Sequence, residues 1–205
     1  MPNQPYIIPQ NLCCYTEEIK KSKFITLITH TQGKEEAKAF IRKMKKKYAD
    51  ARHHCWAYIA YEPTNLVARG CSDDGEPSGT AGKPMLDQIA GANIGEITVV
   101  VVRYFGGIHL GTGGLVRAYG GGVKKALNQL ETKLKVPRIG FSFHSTYDFI
   151  SLIEEIVKRN EGAITRADYQ ADVHFQVLIP YANEASFLME LENRSRGRII
   201  PTVLN

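Results

Sequence analysis

Long apolar runs are missing from this chain: nothing in its 205 residues approaches the roughly 18 consecutive apolar residues that a membrane-spanning helix requires. The opening stretch MPNQPYIIPQNLCCY has no basic n-region, and Pro5 and Pro9 interrupt its short apolar segment, which argues against a signal peptide. The protein is therefore expected to be soluble and cytoplasmic, with no membrane partner. Cysteine is sparse as well. Cys13, Cys14, Cys55 and Cys71 form no C-x-x-C pair, and a chain of this length does not depend on disulfides, so reduced, structural thiols are expected. Neither charge sign dominates: 26 Lys and Arg against 21 Asp and Glu leave a formal charge of +5, which permits a polyanionic partner without demanding one.

Signatures of catalysis and of metal binding are lacking too. Gly82-Lys83 would suit a P-loop only if glycine replaced Pro77 and a hydroxyl residue replaced Pro84. Asp73, Asp74 and Glu76 do not alternate as a calcium loop requires, and are expected to cap or order a polar turn. In Arg52-His53-His54-Cys55, neighbouring side chains of a strand point to opposite faces, so the two histidines do not share an ion. His53 and Cys55 face the same way but are too few for zinc. No Ser-His-Asp set can be assembled, and no catalytic residue, cofactor or metal is assigned.

What is present begins with a hairpin over 16–30, bent at Lys-Lys-Ser-Lys. A helix over 34–48 follows, with Ala37, Phe40, Ile41, Met44 and Tyr48 on one face, acids in its first turn and lysines in its last. Its basic outer face, Lys34, Lys38, Arg42 and Lys46, is expected to be a solvated surface. Strands are expected over 52–61 and 64–72, and a short helix over 80–90. The valine-rich run 94–105 lacks strict alternation, as a strand covered on both faces does, and is placed at the centre of the sheet. A helix is expected over 115–134. Gly120, Gly121 and Gly122 lie inside it, each costing about 1 kcal/mol relative to Ala, so something must pack closely there. Beyond Pro137 the pattern restarts as β-α-β-β-α-β, the ferredoxin-like order. The domains are expected to be 1–136 and 137–205.

Most of the 18 glycines lie in SDDGEPSGTAGKP, 72–84, and RYFGGIHLGTGGLVRAYGGG, 103–122. Gly111, Thr112, Gly113 and Gly114 stand between a strand and a helix, where backbone N–H groups can hold an anion. A dinucleotide fingerprint would need a third glycine where Val116 stands. The glycines either hold a generic phosphate or merely permit positive φ and close strand–helix approach. Lys83, Arg103 and Arg117 sit within these segments, where charges would lie near exposed N–H donors.

KKSKFI at 20–25, DARHHCWAY at 50–58, SDDGEPSGTAGKPML at 72–86 and VVVRYFGGIHLGTGGLVRAYGGGV at 100–123 resemble the YigZ/IMPACT family, over nearly the whole chain and in sequence order. The resemblance implies an α+β protein of two domains: a ribosomal-protein-like β/α domain similar to elongation factor G domain IV, then a ferredoxin-like βαββαβ domain similar to its domain V. It further implies a translation-associated regulatory or binding role, with RNA, the ribosome or a translation-factor protein as partner. The eukaryotic relative regulates translation through an additional N-terminal domain, which this chain is not expected to carry.

The expected phosphate or nucleic-acid contacts are Arg52, Lys83, Arg103, Arg117 and the loop Gly111 to Gly114. Two alternatives stay open. One is an enzyme that binds a phosphate or nucleotide in the same glycine loop; the other is a protein-interaction adaptor.

Overall fold

The computed structural model describes residues 4–204. It is an α+β structure of two compact units, one covering Tyr6–Lys135 and the other running from Val136 onward. The first is the ribosomal-protein-like unit. It is built from β1 (Tyr6–Pro9), β2 (Cys13–Ile19), β3 (Ser22–His30), α1 (Gly33–Lys47), β4 (His53–Ile59), β5 (Arg69–Ser72), α2 (Gly82–Gly91), β6 (Ile97–Tyr104), α3 (Thr112–Leu127) and β7 (Thr132–Lys135).

Five of these strands form an antiparallel sheet in the order β2-β3-β6-β4-β5, with β6 in the centre as its valine run predicts. Because strand side chains alternate, Val99 and Val101 face α2 and α3 beside Phe24, Ile28 and Cys55, while Val100 and Val102 face α1 beside Ile41 and Met44. Each face of β6 is thus buried, at roughly 1.5–3 kcal/mol per aliphatic side chain.

The β2–β3 turn places Lys20 and Lys21 at φ 49° and 63°, the double left-handed geometry that matches strand twist in a two-residue hairpin. Gly106, just past β6, lies directly on that turn: a Cβ there would come within 2.0 Å of the Lys21 backbone. Its N–H donates to Ser22 Oγ at 3.1 Å.

Two expected elements are shorter than their sequence suggests. Residues 64–68 are a loop rather than the start of a strand, because Asn65 turns the chain back on Glu62 and accepts the Ala68 N–H through its side chain. The last helix of the unit ends at Leu127 instead of continuing to 134, since 132–135 pair with β1, which the sequence reading did not identify. That helix also begins three residues early, at Thr112. Within it, Gly120 packs on Pro84 and Gly122 on Glu17 and Thr26, whereas Gly121 meets nothing.

Buried Glu96 ties the far end of the sheet together. It accepts hydrogen bonds from Tyr6 Oη at 2.9 Å, His30 Nε2 at 2.7 Å and Lys135 Nζ at 2.5 Å. Burial raises its pKa, but these donors outweigh burial and hold the carboxyl below its usual range.

The second unit is ferredoxin-like. It consists of β8 (Arg138–Ser145), α4 (Ile150–Arg159), β9 (Ala163–Tyr169), β10 (Val173–Pro180), α5 (Glu184–Ser195) and β11 (Thr202–Val203), with sheet order β11-β8-β10-β9. Phe141, Phe143, Phe175 and Val177 face the helices. The alternate residues Ser142, His144 and His174 face away from them, with the two imidazoles stacked at 4.7 Å. The final strand is confined to two residues where 198–204 was expected.

Candidate functional site

The loop between β6 and α3 and the turn after β5 meet over the end of β4 and enclose a pocket of 310 Å³. Asp73 builds one wall. Its carboxylate accepts the N–H groups of Gly79, Ala81 and Gly82, each at 2.9 Å, and so caps α2 from a distance. Burial pushes its pKa up, yet those three N–H groups prevail and keep it below the usual carboxylate range. Asp74 accepts from Lys45 Nζ at 2.6 Å and from the His54 N–H at 2.8 Å. Asp73 and Asp74 therefore order a polar turn as expected, whereas the Glu76 carboxylate, expected to do the same, is buried against Arg103.

The adjacent histidines part as strand geometry requires. His54 is buried and donates from Nε2 to the Tyr48 carbonyl at 2.9 Å. His53 lines the pocket and donates from Nδ1 to the Asp74 carbonyl at 2.9 Å, leaving Nε2 as the free nitrogen. Cys55 lies on the His53 face, fully buried, with Sγ donating to the Asp73 carbonyl. Burial above all pushes this thiol up to about 12, so it is no nucleophile at neutral pH. Among the described residues, no three His, Cys, Asp or Glu converge to hold a metal ion.

Beneath the pocket runs a buried polar chain. Arg103 Nη1 donates to Glu76 Oε1 at 2.7 Å, and Tyr119 Oη donates to the same oxygen at 2.7 Å. The Arg103 side chain is only 7% exposed, and its guanidinium lies 5.5 Å from the Phe24 ring centre and 5.6 Å from that of Phe105. Nε is sealed without a partner. Nη2 makes no hydrogen bond among the described residues but is not sealed, and Arg103 lines the pocket.

Opposite stands the start of α3. Its N-cap, Gly111, has φ 72° and no side chain, and the first turn carries no acid. The first intrahelical bond is Leu115 N–H to the Gly111 carbonyl at 2.9 Å, so the N–H groups of Thr112, Gly113 and Gly114 have no partner within the helix. Gly111 and Thr112 line the pocket, exposed Arg52 stands at its rim, and Phe105 and His109 pack at 5.3 Å across its mouth.

The eight expected contacts do not form one face. Arg52, Arg103, Gly111 and Thr112 share this pocket, but Lys83 and Arg117 line a separate 510 Å³ groove between α2 and α3, with Lys124. Helical rotation sets Arg117 apart from Thr112, since five residues turn α3 by about 140°, while Lys83 lies on α2. Gly114 faces a third depression beside Leu110. Lys83 is further occupied by Asp87, one turn along. Sequence reasoning missed Phe105 and His109 as lining residues, and it missed Tyr119 as the second donor to Glu76. Phe105 and His109 stood inside the glycine-rich segment, but stacking across a loop leaves no periodic trace.

Residues 20–127 match the Impact N-terminal domain, and residues 144–198 match a domain of unknown function, DUF1949. The chain is 49% identical to the Escherichia coli (strain K12) protein described as IMPACT family member YigZ, over 96% of both chains. It is 46% identical to an IMPACT family member of Haemophilus influenzae, over 97% of both. A solved structure described as that of a hypothetical protein superposes with a TM-score of 0.74 at 47% identity, covering 98% of each chain. The expected resemblance thus holds along both units, and this chain belongs to the IMPACT family.

Proposed function

We propose that this protein is a translation-associated RNA-binding protein whose Tyr6–Lys135 unit grips phosphate. The observation that carries the reading is the meeting of an uncapped, acid-free helix N-terminus with Arg52 and a clamped Arg103 in one pocket. Partial positive charge at a helix start, unpartnered N–H groups and a fixed guanidinium together make an anion site. The α2–α3 groove adds Arg117 and Lys124, neither of which makes an ion pair among the described residues. The similarity of the family to a ribosome-bound elongation factor domain supports RNA or the ribosome as the source of the phosphates.

The test is binding of the purified chain to ribosomes and to single-stranded RNA as salt is raised. Each phosphate contact contributes about 0.7 to the slope of log affinity against log salt. Replacing Arg117 and Lys124 by Ala should therefore lower the slope by about 1.4. No association at low salt would sink the proposal.

A further inference from the structure

The pocket is small and shares no lining residue with the α2–α3 groove. At 310 Å³ it lies at the small end of ligand pockets, roughly 300–1,000 Å³, and it is a recess beside the open α2–α3 groove rather than part of it. Its donors come from two sides: the N–H of Thr112 at the start of the 16-residue α3, which has no partner within the helix, and Nη2 of Arg103, which makes no hydrogen bond among the described residues. Arg103 is held in place before any ligand arrives, by Glu76 through Nη1 and by the rings of Phe24 and Phe105 on its faces. Little ordering entropy is left to spend on capture. Glu76 does not repel an incoming anion strongly, since its carboxylate is already engaged by Arg103 and Tyr119.

This donor count suits a doubly charged group. A phosphomonoester carries about −1.5 to −2 near neutral pH, whereas a phosphodiester inside a strand carries a single charge. Beyond the anion position, the mouth is aromatic: Phe105 is 45% exposed although it is a large apolar side chain, and it packs against His109. An exposed ring beside a phosphate site offers a planar base a surface to stack on.

We infer that this pocket binds a terminal phosphomonoester borne on a nucleoside, with the phosphate against the start of α3 and Arg103 and the base against Phe105. This rests on the proposal above that the start of α3 takes phosphate. Two sources share the chemistry: a free mononucleotide and the 5′-phosphorylated end of an RNA.

Calorimetric titration of the full chain separates them, using adenosine 5′-monophosphate, adenosine, inorganic phosphate, and one short RNA carrying either a 5′-phosphate or a 5′-hydroxyl. The monophosphate should bind at least about tenfold tighter than adenosine, and the phosphorylated RNA about tenfold tighter than its hydroxyl twin. Phe105→Ala should weaken the nucleotide by a larger factor than it weakens inorganic phosphate, because it removes the stacking surface as well as one of the two rings beside Arg103; an equal loss for the two ligands would overturn the placement of the base. Thr112→Asp, an acid in an exposed first helical turn, should preserve or raise thermal stability while abolishing phosphate binding.

Binding of the monophosphate with no preference between the two RNAs assigns the free nucleotide as ligand; the reverse assigns the RNA end. If RNA binds but neither the monophosphate nor the 5′-phosphate is preferred, this inference falls and the RNA-binding proposal stands. If the monophosphate binds and no RNA does, the inference stands and that proposal falls. If nothing phosphorylated binds, both fall.

Discussion

Arg103 and Glu76 form an ion pair with both side chains more than nine-tenths buried, at 2.7 Å, and Tyr119 donates to the same carboxylate oxygen. The pair joins the centre of the sheet to the turn after β5 and to α3. Removing one partner leaves the other charged and uncompensated in a low-dielectric interior, at a cost of about 3–5 kcal/mol. Arg103→Met should therefore destabilise the Tyr6–Lys135 unit by that amount. Adding Glu76→Gln should recover part of the loss. Urea unfolding followed by Trp56, the chain's single tryptophan, reports on this unit alone.

Two glycines of the same motif should respond in opposite directions. Gly106→Ala forces a methyl group into the Lys21 backbone, which cannot give way as a flexible side chain would, and should cost about 3 kcal/mol. Gly121→Ala meets only open space in a helix interior and should gain about 1 kcal/mol. Because Gly121 floors the α2–α3 groove, the same change should weaken RNA binding. Chemical unfolding and the salt-dependent binding assay read the two effects separately.

Acid should loosen the unit through Glu96. An unfolded glutamate titrates near 4.3, and the folded carboxyl is held lower by Lys135, His30 and Tyr6 despite burial. The stability it contributes is complete above about pH 4.3 and drains as pH falls through its folded-state value. Glu96→Gln should be less stable than the wild type at neutral pH and show a flatter acid limb. Urea midpoints taken between about pH 7 and pH 3 test this; parallel limbs would contradict it.

Asp73→Ala removes the acceptor of three backbone N–H groups at the start of α2 and should cost about 2 kcal/mol. Faster amide exchange at Gly79, Ala81 and Gly82, with little change in β6, would place the effect at the cap.

Much of the fold was legible because it is written in periodicity. The helical spacing over α1, the valine run of β6 and the restart after Pro137 depend on which faces are buried, and burial leaves a local pattern. The β1–β7 pair was invisible for the opposite reason, since four-residue strands separated by more than a hundred residues carry no pattern of their own. The pocket was half legible. Glycine density marked Gly111 and Thr112, but their juxtaposition with Arg52 and Arg103 depends on tertiary register. The separation of Arg117 from Thr112 follows from helical rotation along α3, whereas the place of Lys83 is set by the packing of α2 beside it.

The pairing of β1 with β7 sets Tyr6 opposite Lys135, so the chain leaves this unit about 5 Å from where it entered. A body whose entrance and exit adjoin can be grafted as a cassette into a surface loop of an unrelated host, or reconnected end to end and reopened elsewhere, without disturbing its sheet. Fusion to other modules at either end then requires no rearrangement inside it.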